Sequence, residues 1–292
     1  MSASNVLLEQ AAPVESDAGI KQAARRAKRH RMFRLWTARL GFAVFIIGGW
    51  QLCTALKWVD PFFFGQPSKI WDSLMHLFTK GTEFGSIWDD IGVTLKEALY
   101  GFFLGTAAGV ILGLLLGQNR FLADVLGPYI KVVNAVPRII LGSIFLVAFG
   151  LGTFPKVLLA AVLVFFIVFF NAFQGVREVN PNLVANVKVL GASPVQVARH
   201  VTIPSALTWI IASLHTAFGF AIIGALVGEV LGSQRGMGLV ITQAQNKFDP
   251  NTVFAGMAIM AVITLVAEYL ITMLEKRVLA WRPPSHSESA GG

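Results

Sequence analysis

The chain has 292 residues, of which 55% are hydrophobic and only 14% charged, and its mean hydropathy is +0.65. A soluble domain carries about 25% charged residues, so this composition excludes an ordinary water-soluble globule and points to hydrocarbon around much of the chain. Cys53 is the only cysteine, which excludes an intrachain disulfide and a thiolate metal cluster, and the net charge of +8 is read by its placement.

Residues 1 to about 20 are small and polar, the pattern of a disordered segment. Cations then crowd together from Lys21 to Arg39. Such a run fits a nucleic-acid arm or a cytoplasmic anchor beside a membrane span, and the anchor is preferred because an apolar run follows at once. Residues 1–36 are therefore expected to be a basic, disordered cytoplasmic tail. The first apolar run begins near Leu40, too late and too long for the core of a signal peptide.

Six apolar segments follow, at about 40–56, 97–117, 127–149, 155–174, 205–232 and 252–274. At about 1.5 Å per residue, some 20 residues cross a hydrocarbon core of about 30 Å. Helices are required, because backbone groups in lipid must pair within the segment. The expected fold is all-α and polytopic, with about six transmembrane helices. The fifth segment is the longest, and it could be broken or tilted around Gly219, Gly224 and Gly228. With the N-terminus inside, the cytoplasmic side holds the tail cations with Arg120, Arg177, Lys188, Arg199, Lys276, Arg277 and Arg282. The outside holds only Lys57, Lys69, Lys80, Lys156, Arg235 and Lys247. The imbalance predicts both termini in the cytoplasm.

Between the first two spans, Ile70, Trp71, Leu74, Leu77 and Phe78 share one helical face, with Ser68 available as a cap. An amphipathic helix at the outer interface is expected, so residues 37–84 form the first span with this helix. Asp89, Asp90, Lys96 and Glu97 lead into the second span and are expected at the interface rather than in lipid.

The longest cytoplasmic connection runs from Gly175 to Pro204. Leu183, Val184, Val187 and Leu190 mark one face of a short helix. Gly191 permits a turn. Ser193, Pro194 and Gln196 form a capping-box pattern for a second short helix to about His200, and Pro204 is expected to end the unit before the fifth span. An apolar face on such a loop needs a partner.

This segment resembles the EAA loop of binding-protein-dependent ABC importer permeases, laid out as Glu-Ala-Ala, three residues, Gly, nine residues, then Ile-x-Leu-Pro. Anchored on Gly191, the spacing places Val201, Ile203 and Pro204 at the closing positions. Ala185, Asn186 and Val187 stand where the family has Glu-Ala-Ala. NAVPRIILGSIFLVAFGLG at 134–152, LVGEVLGSQRGMGLVITQAQ at 226–245 and VFAGM at 253–257 are similar to the nitrate, sulfonate, taurine and bicarbonate branch.

The resemblance covers residues 85–280, taken as the permease domain, with 281–292 as a cytoplasmic tail. It implies a bacterial inner-membrane subunit working with a cytoplasmic ATPase, a periplasmic or lipid-anchored solute-binding protein and a second permease copy, in a homodimer. It implies no cofactor on this chain, ATP and Mg on the ATPase, and a small anionic solute of the nitrate, sulfonate, taurine or aromatic acid type. The coupling residues it implies are Leu183, Val187, Gly191, Ala192, Ser193, Pro194, Val201, Ile203 and Pro204.

Ionisable and polar groups at membrane depth are costly and usually face the protein interior. Asn134, Arg138, Asn171, His215 and Glu229 are the candidates for a translocation pathway, each with a structural alternative. Arg138 could meet an anion, or pair with an acid or a carbonyl. Asn134, Asn171 and Gln174 could line the pathway or join helices. His215 could relay protons or be an interior histidine. The family resemblance implies a structural role for Glu229, supporting the outer gate region, and Glu268 has no evident partner. No GxxxxGK[ST], HExxH, GxSxG or clustered His/Cys pattern occurs, so neither ATP binding, catalysis nor a metal site is expected on this chain, and no nucleic-acid partner. A secondary transporter or channel is the alternative, but it would show internal repeats and paired intramembrane acids.

Overall fold

A computed structural model describes residues 17–278, and every described element of regular structure is helical. Five helices are long and apolar enough to cross a membrane, with a sixth span if one sharply bent pair counts as a single crossing. The chain divides into two compact units, one ending at Ser68 and the other starting at Lys69.

In the first unit, α1 spans Asp17–Ala55 and α2 spans Pro61–Phe64. The expectation of a disordered tail is corrected for residues 17–36, which are helical. Ala, Lys, Arg and Gln dominate this stretch and favour helix, and no Gly or Pro separates it from the apolar run. Residues 1–16 and the tail at 281–292 lie outside the described residues. Asp60 caps α2 by accepting a hydrogen bond from the Phe62 N–H at 2.9 Å. The expected cap at Ser68 is also corrected. Its own N–H donates to Gln51 Oε1 at 3.0 Å, inside a helix that starts at Pro67.

The second unit is built on α4 (Ile87–Gln118), α7 (Thr153–Arg177) and α10 (Ile203–Leu231). Helix α4 carries a glycine every fourth residue, at 101, 105, 109, 113 and 117. These form one stripe, and α7 lies along it in parallel, from Ala160 beside Gly101 to Val176 beside Gly117. The approach is too close for any side chain: a Cβ on Gly105 would sit 2.4 Å from the Ala161 carbonyl oxygen. Small residues let helices meet where lipid offers no hydrophobic drive to bring them together. Helix α10 packs against α7 in the opposite direction, with Gly224 against Ala160 and Ala206 against Gly175, and also touches α4, where Phe218 meets Phe102. Gly224 and Gly228 serve packing while Gly219 faces open space, and the helix runs unbroken through all three, so the break considered in the fifth span does not occur.

Helix α12 (Pro250–Val278) extends the core through Ala255, Ile259 and Met260. Helix α3 (Pro67–Lys80) matches the predicted amphipathic segment. Ile70, Leu74 and Leu77 pack on the core, while Trp71 and Phe78 stay exposed.

The third span departs from its continuous expectation. It consists of α5 (Arg120–Ala135) and α6 (Arg138–Phe149), bent by 83°. Pro137 lacks an N–H and holds Val136 in an extended conformation at φ −65°, ψ 130°, which stops α5 there. The second span begins ten residues earlier than expected, at Ile87, and so takes in Asp90 and Glu97.

Candidate functional site

At one end of the second unit, α4 and α7 finish beside the Gly175–Pro204 segment. Helix α8 (Pro181–Val189) starts on Asn180, whose side chain accepts the Asn182 N–H at 2.9 Å. Gly191 has φ +84°, a conformation that favours glycine, and the N–H groups of Gly191 and Ala192 close α8 on Lys188 O and Val187 O. Helix α9 (Pro194–Val197) begins with the expected reciprocal box. Ser193 Oγ accepts the Gln196 N–H at 3.3 Å, and Gln196 Oε1 accepts the Ser193 N–H at 2.8 Å.

The expected stop at Pro204 is corrected. Helix continues from Pro194 through Leu231, by way of a π-helical turn at Ala198–Thr202. Pro204 removes one backbone donor and crowds the preceding turn; the wider π turn just before it accommodates that. The loop's second helix is thus the first turns of the fifth span. Val197 and Thr202 are buried, and Val187, Ala192, Val201, Ile203 and Pro204 are partly so. Leu183, Val189, Leu190 and Val195 are exposed, Leu190 by 85%.

At the opposite end, α11 (Met237–Asn246) starts in the middle of a buried polar cluster. Three consecutive backbone N–H groups find side-chain acceptors from other elements. Gly236 donates to Asp90 Oδ1 at 3.2 Å, Met237 to Thr94 Oγ1 at 2.9 Å, and Gly238 to Glu229 Oε2 at 2.6 Å. Thr94 also donates to Glu229 Oε1 at 2.7 Å, and Thr82 donates to Asp90 Oδ2 at 2.8 Å. A helix N-terminus favours carboxylates, so α4 and α10 cap α11 from a distance. The glycines of the GMG run make room: a Cβ on Gly236 would lie 2.1 Å from Glu229 Oε1.

Beside this cap, Lys156 of α7 lies 3.6 Å from Glu97 Oε1 and donates to Ser233 Oγ at 2.7 Å and Leu151 O at 3.2 Å. Asp90, Thr94, Glu97, Lys156 and Glu229 are all at most 3% exposed. Asp90 and Glu97 therefore correct the interface expectation, and Lys156 is not an outer-loop cation. Asp89 and Lys96 remain exposed, and Asp89 pairs with Arg235 at 3.8 Å.

Of the five pathway candidates, Asn134 and Arg138 come together. They straddle the break between α5 and α6, where the guanidinium bonds Asn134 and lies 5.0 Å over the Phe166 ring. Asn171 donates back to Ile167 O at 2.8 Å. His215 pairs with Glu275 of α12 at 2.9 Å. Glu229 belongs to the cap of α11. Glu268 is exposed. Sequence reading singled out Glu229 but missed its partners. The available signal was the i, i+4, i+7 spacing of Asp90, Thr94 and Glu97, which puts three polar groups on one helical face. Among the described residues, no group of His, Cys, Asp and Glu is arranged to hold a metal.

Comparison with known proteins agrees with this architecture. Residues 105–280 match the family described as binding-protein-dependent transport system inner membrane component. The putative aliphatic sulfonates transport permease protein SsuC of Bacillus subtilis is 30% identical over 85% of this chain and 88% of its own length. The taurine transport system permease protein TauC of Escherichia coli is 25% identical, over 88% and 94%. The riboflavin transport system permease protein RibX of Chloroflexus aurantiacus is 29% identical, over 80% and 85%. Among solved structures, an inward-facing MetNI methionine ABC transporter superposes with TM-score 0.57 at 18% identity, covering 66% of this chain and 96% of that one. An amino acid ABC transporter solved with histidines gives 0.52 at 21%, covering 65% and 92%. The chain belongs to the binding-protein-dependent inner-membrane component family, as a non-catalytic, multi-pass permease subunit of an ABC importer.

Proposed function

We propose that this permease admits a small organic anion of the sulfonate class, and that the α8–α9 unit receives the ATPase stroke. The observation that carries the coupling reading is the surface of that unit. Leu183, Val189, Leu190 and Val195 are exposed on a segment whose turns are locally capped and whose second helix runs unbroken into α10. Apolar side chains on a rigid mount suit a groove on a partner. A push on α9 then travels along one helix to the opposite end of the bundle. Rigid-body motion of this kind couples two sites when both bias the same pair of states.

The charge imbalance supports placing the α8–α9 end in the cytoplasm, with both termini, and the α11 end toward the solute-binding protein. Burial of Lys156 sharpens the bias, because it removes a cation from the outside count. The second permease copy is read as identical. ATP and Mg belong to the ATPase, and this chain binds no cofactor. The sulfonate and taurine relatives support the substrate class. Arg138 with Asn134 at the helix break, and Asn171, are the groups proposed along the pathway. His215 and Glu229 are read as fixing helices.

The test is uptake into proteoliposomes carrying the permease, its ATPase and its binding protein. Taurine, an alkanesulfonate, nitrate and riboflavin are each offered with ATP. ATP-dependent uptake of a sulfonate is expected, and riboflavin uptake alone would overturn the substrate class. Reporter fusions at residues 190 and 242 should report cytoplasm and exterior respectively, and the reverse pattern would overturn the orientation.

A further inference from the structure

Lys156 and Arg138 both sit deep in the second unit, in different surroundings. Lys156 is buried beside a carboxylate, that of Glu97 at 3.6 Å. Arg138 has no such partner: no ion pair among the described residues includes it. Its Nη2 donates to the neutral Asn134 side chain, its guanidinium carbon lies 5.0 Å over the Phe166 ring, and its Nε has no hydrogen-bond partner. Phe166 stands about halfway along α7, so the guanidinium lies near mid-membrane, where an uncompensated charge is costly. The backbone beside it is also irregular. Pro137 has no N–H, and α6 starts without a side-chain cap. Val136, Pro137 and Ile139 are exposed. Hydrocarbon can cover apolar side chains but not a broken helical ladder, which is tolerated at this depth only inside protein or beside water.

We infer that the α5–α6 break faces the aqueous path and that Arg138 is the counter-charge for the solute's anionic head. This deepens the anion-import reading above and rests on it. The solute class fits the missing partner. A sulfonate brings one delocalised negative charge and three acceptor oxygens, enough to engage the guanidinium N–H groups that Asn134 leaves open. Pairing offsets the cost of the charge at this depth only while an anion is present, and a neutral solute supplies no such gain. Asn134 is a positioning residue, holding the guanidinium from one turn across the break.

Charge-selective thiol labelling tests this, in full-length permease with Cys53→Ser and Val136→Cys, assembled with its ATPase in lipid nanodiscs and read on the permease by mass spectrometry. Sulfonatoethyl and trimethylammonioethyl methanethiosulfonate are compared, each normalised to its rate with a free thiol. The anionic reagent should be favoured on the order of tenfold, and methanesulfonate should slow the labelling. Arg138→Gln in this background should abolish both effects, and Arg138→Lys should retain the charge preference. No labelling with or without ATP, equal normalised rates, labelling that methanesulfonate leaves unchanged, or a preference that survives Arg138→Gln overturns the proposal. Should Arg138→Gln fail to fold, the charge preference and the protection in the Val136→Cys protein still decide. The labelling requires neither the binding protein nor uptake, so its failure and the failure of sulfonate uptake are distinguishable.

Discussion

The two ends of the bundle are built on opposite principles. At the α11 end, polar side chains are buried and bond across four helices, so each element's position depends on the others. At the α8–α9 end, caps are local, each within a few residues, and apolar side chains face outward. The first arrangement closes on itself. The second is stable as a shape but leaves surface uncovered. This asymmetry suits the proposed coupling role, in which one end is held firm while another protein moves the opposite end.

Substitutions can break the contrast. The largest effect is expected for Gly236→Val. Its φ of +114° is strained for valine, and the new side chain would displace the Glu229 carboxyl. A loss of about 3 kcal/mol or more is expected in thermal unfolding, and wild-type melting would show that the α11 end is not tightly closed. Gly109→Leu should cost about 1–3 kcal/mol, since a Cβ there already comes within 2.9 Å of the Phe165 carbonyl oxygen. At the other end, the readout changes. Gly191→Pro should lower ATP-driven uptake about 5–150-fold, a coupling loss of about 1–3 kcal/mol, while the melting of the bundle moves little. Unchanged uptake would remove Gly191 from the coupling path. Ser193→Ala should cost about 1 kcal/mol locally, read as faster amide exchange confined to residues 193–197. His215→Ala should cost only about 0.6 kcal/mol in melting, typical of one interhelical bond in a membrane protein.

Much of this fold was legible because hydrocarbon solvent writes itself into composition. Span number, the amphipathic α3 and the capping box at Ser193 all follow from short-range patterns. What escaped depends on long-range packing. The glycine stripe of α4 is visible as a spacing, but only α7 lying against it shows that those glycines are for contact. Glu97 and Asp90 looked like interface charges because their partners, Lys156 and the α11 backbone, lie 59 and 146 residues away. Pro137 and Pro204 look alike in sequence, yet one produces an 83° bend and the other is absorbed by a π turn. Whether a chain bends at a proline depends on what the flanking turns can accommodate.

The central claim is that the α8–α9 end, and not the α11 end, meets the ATPase. Cross-linking tests it most directly, in full-length permease with Cys53→Ser and a single new cysteine, assembled with its ATPase. Leu190→Cys should give a permease–ATPase adduct, and Gln245→Cys should give none. An adduct from position 245, or none from position 190, would contradict the account.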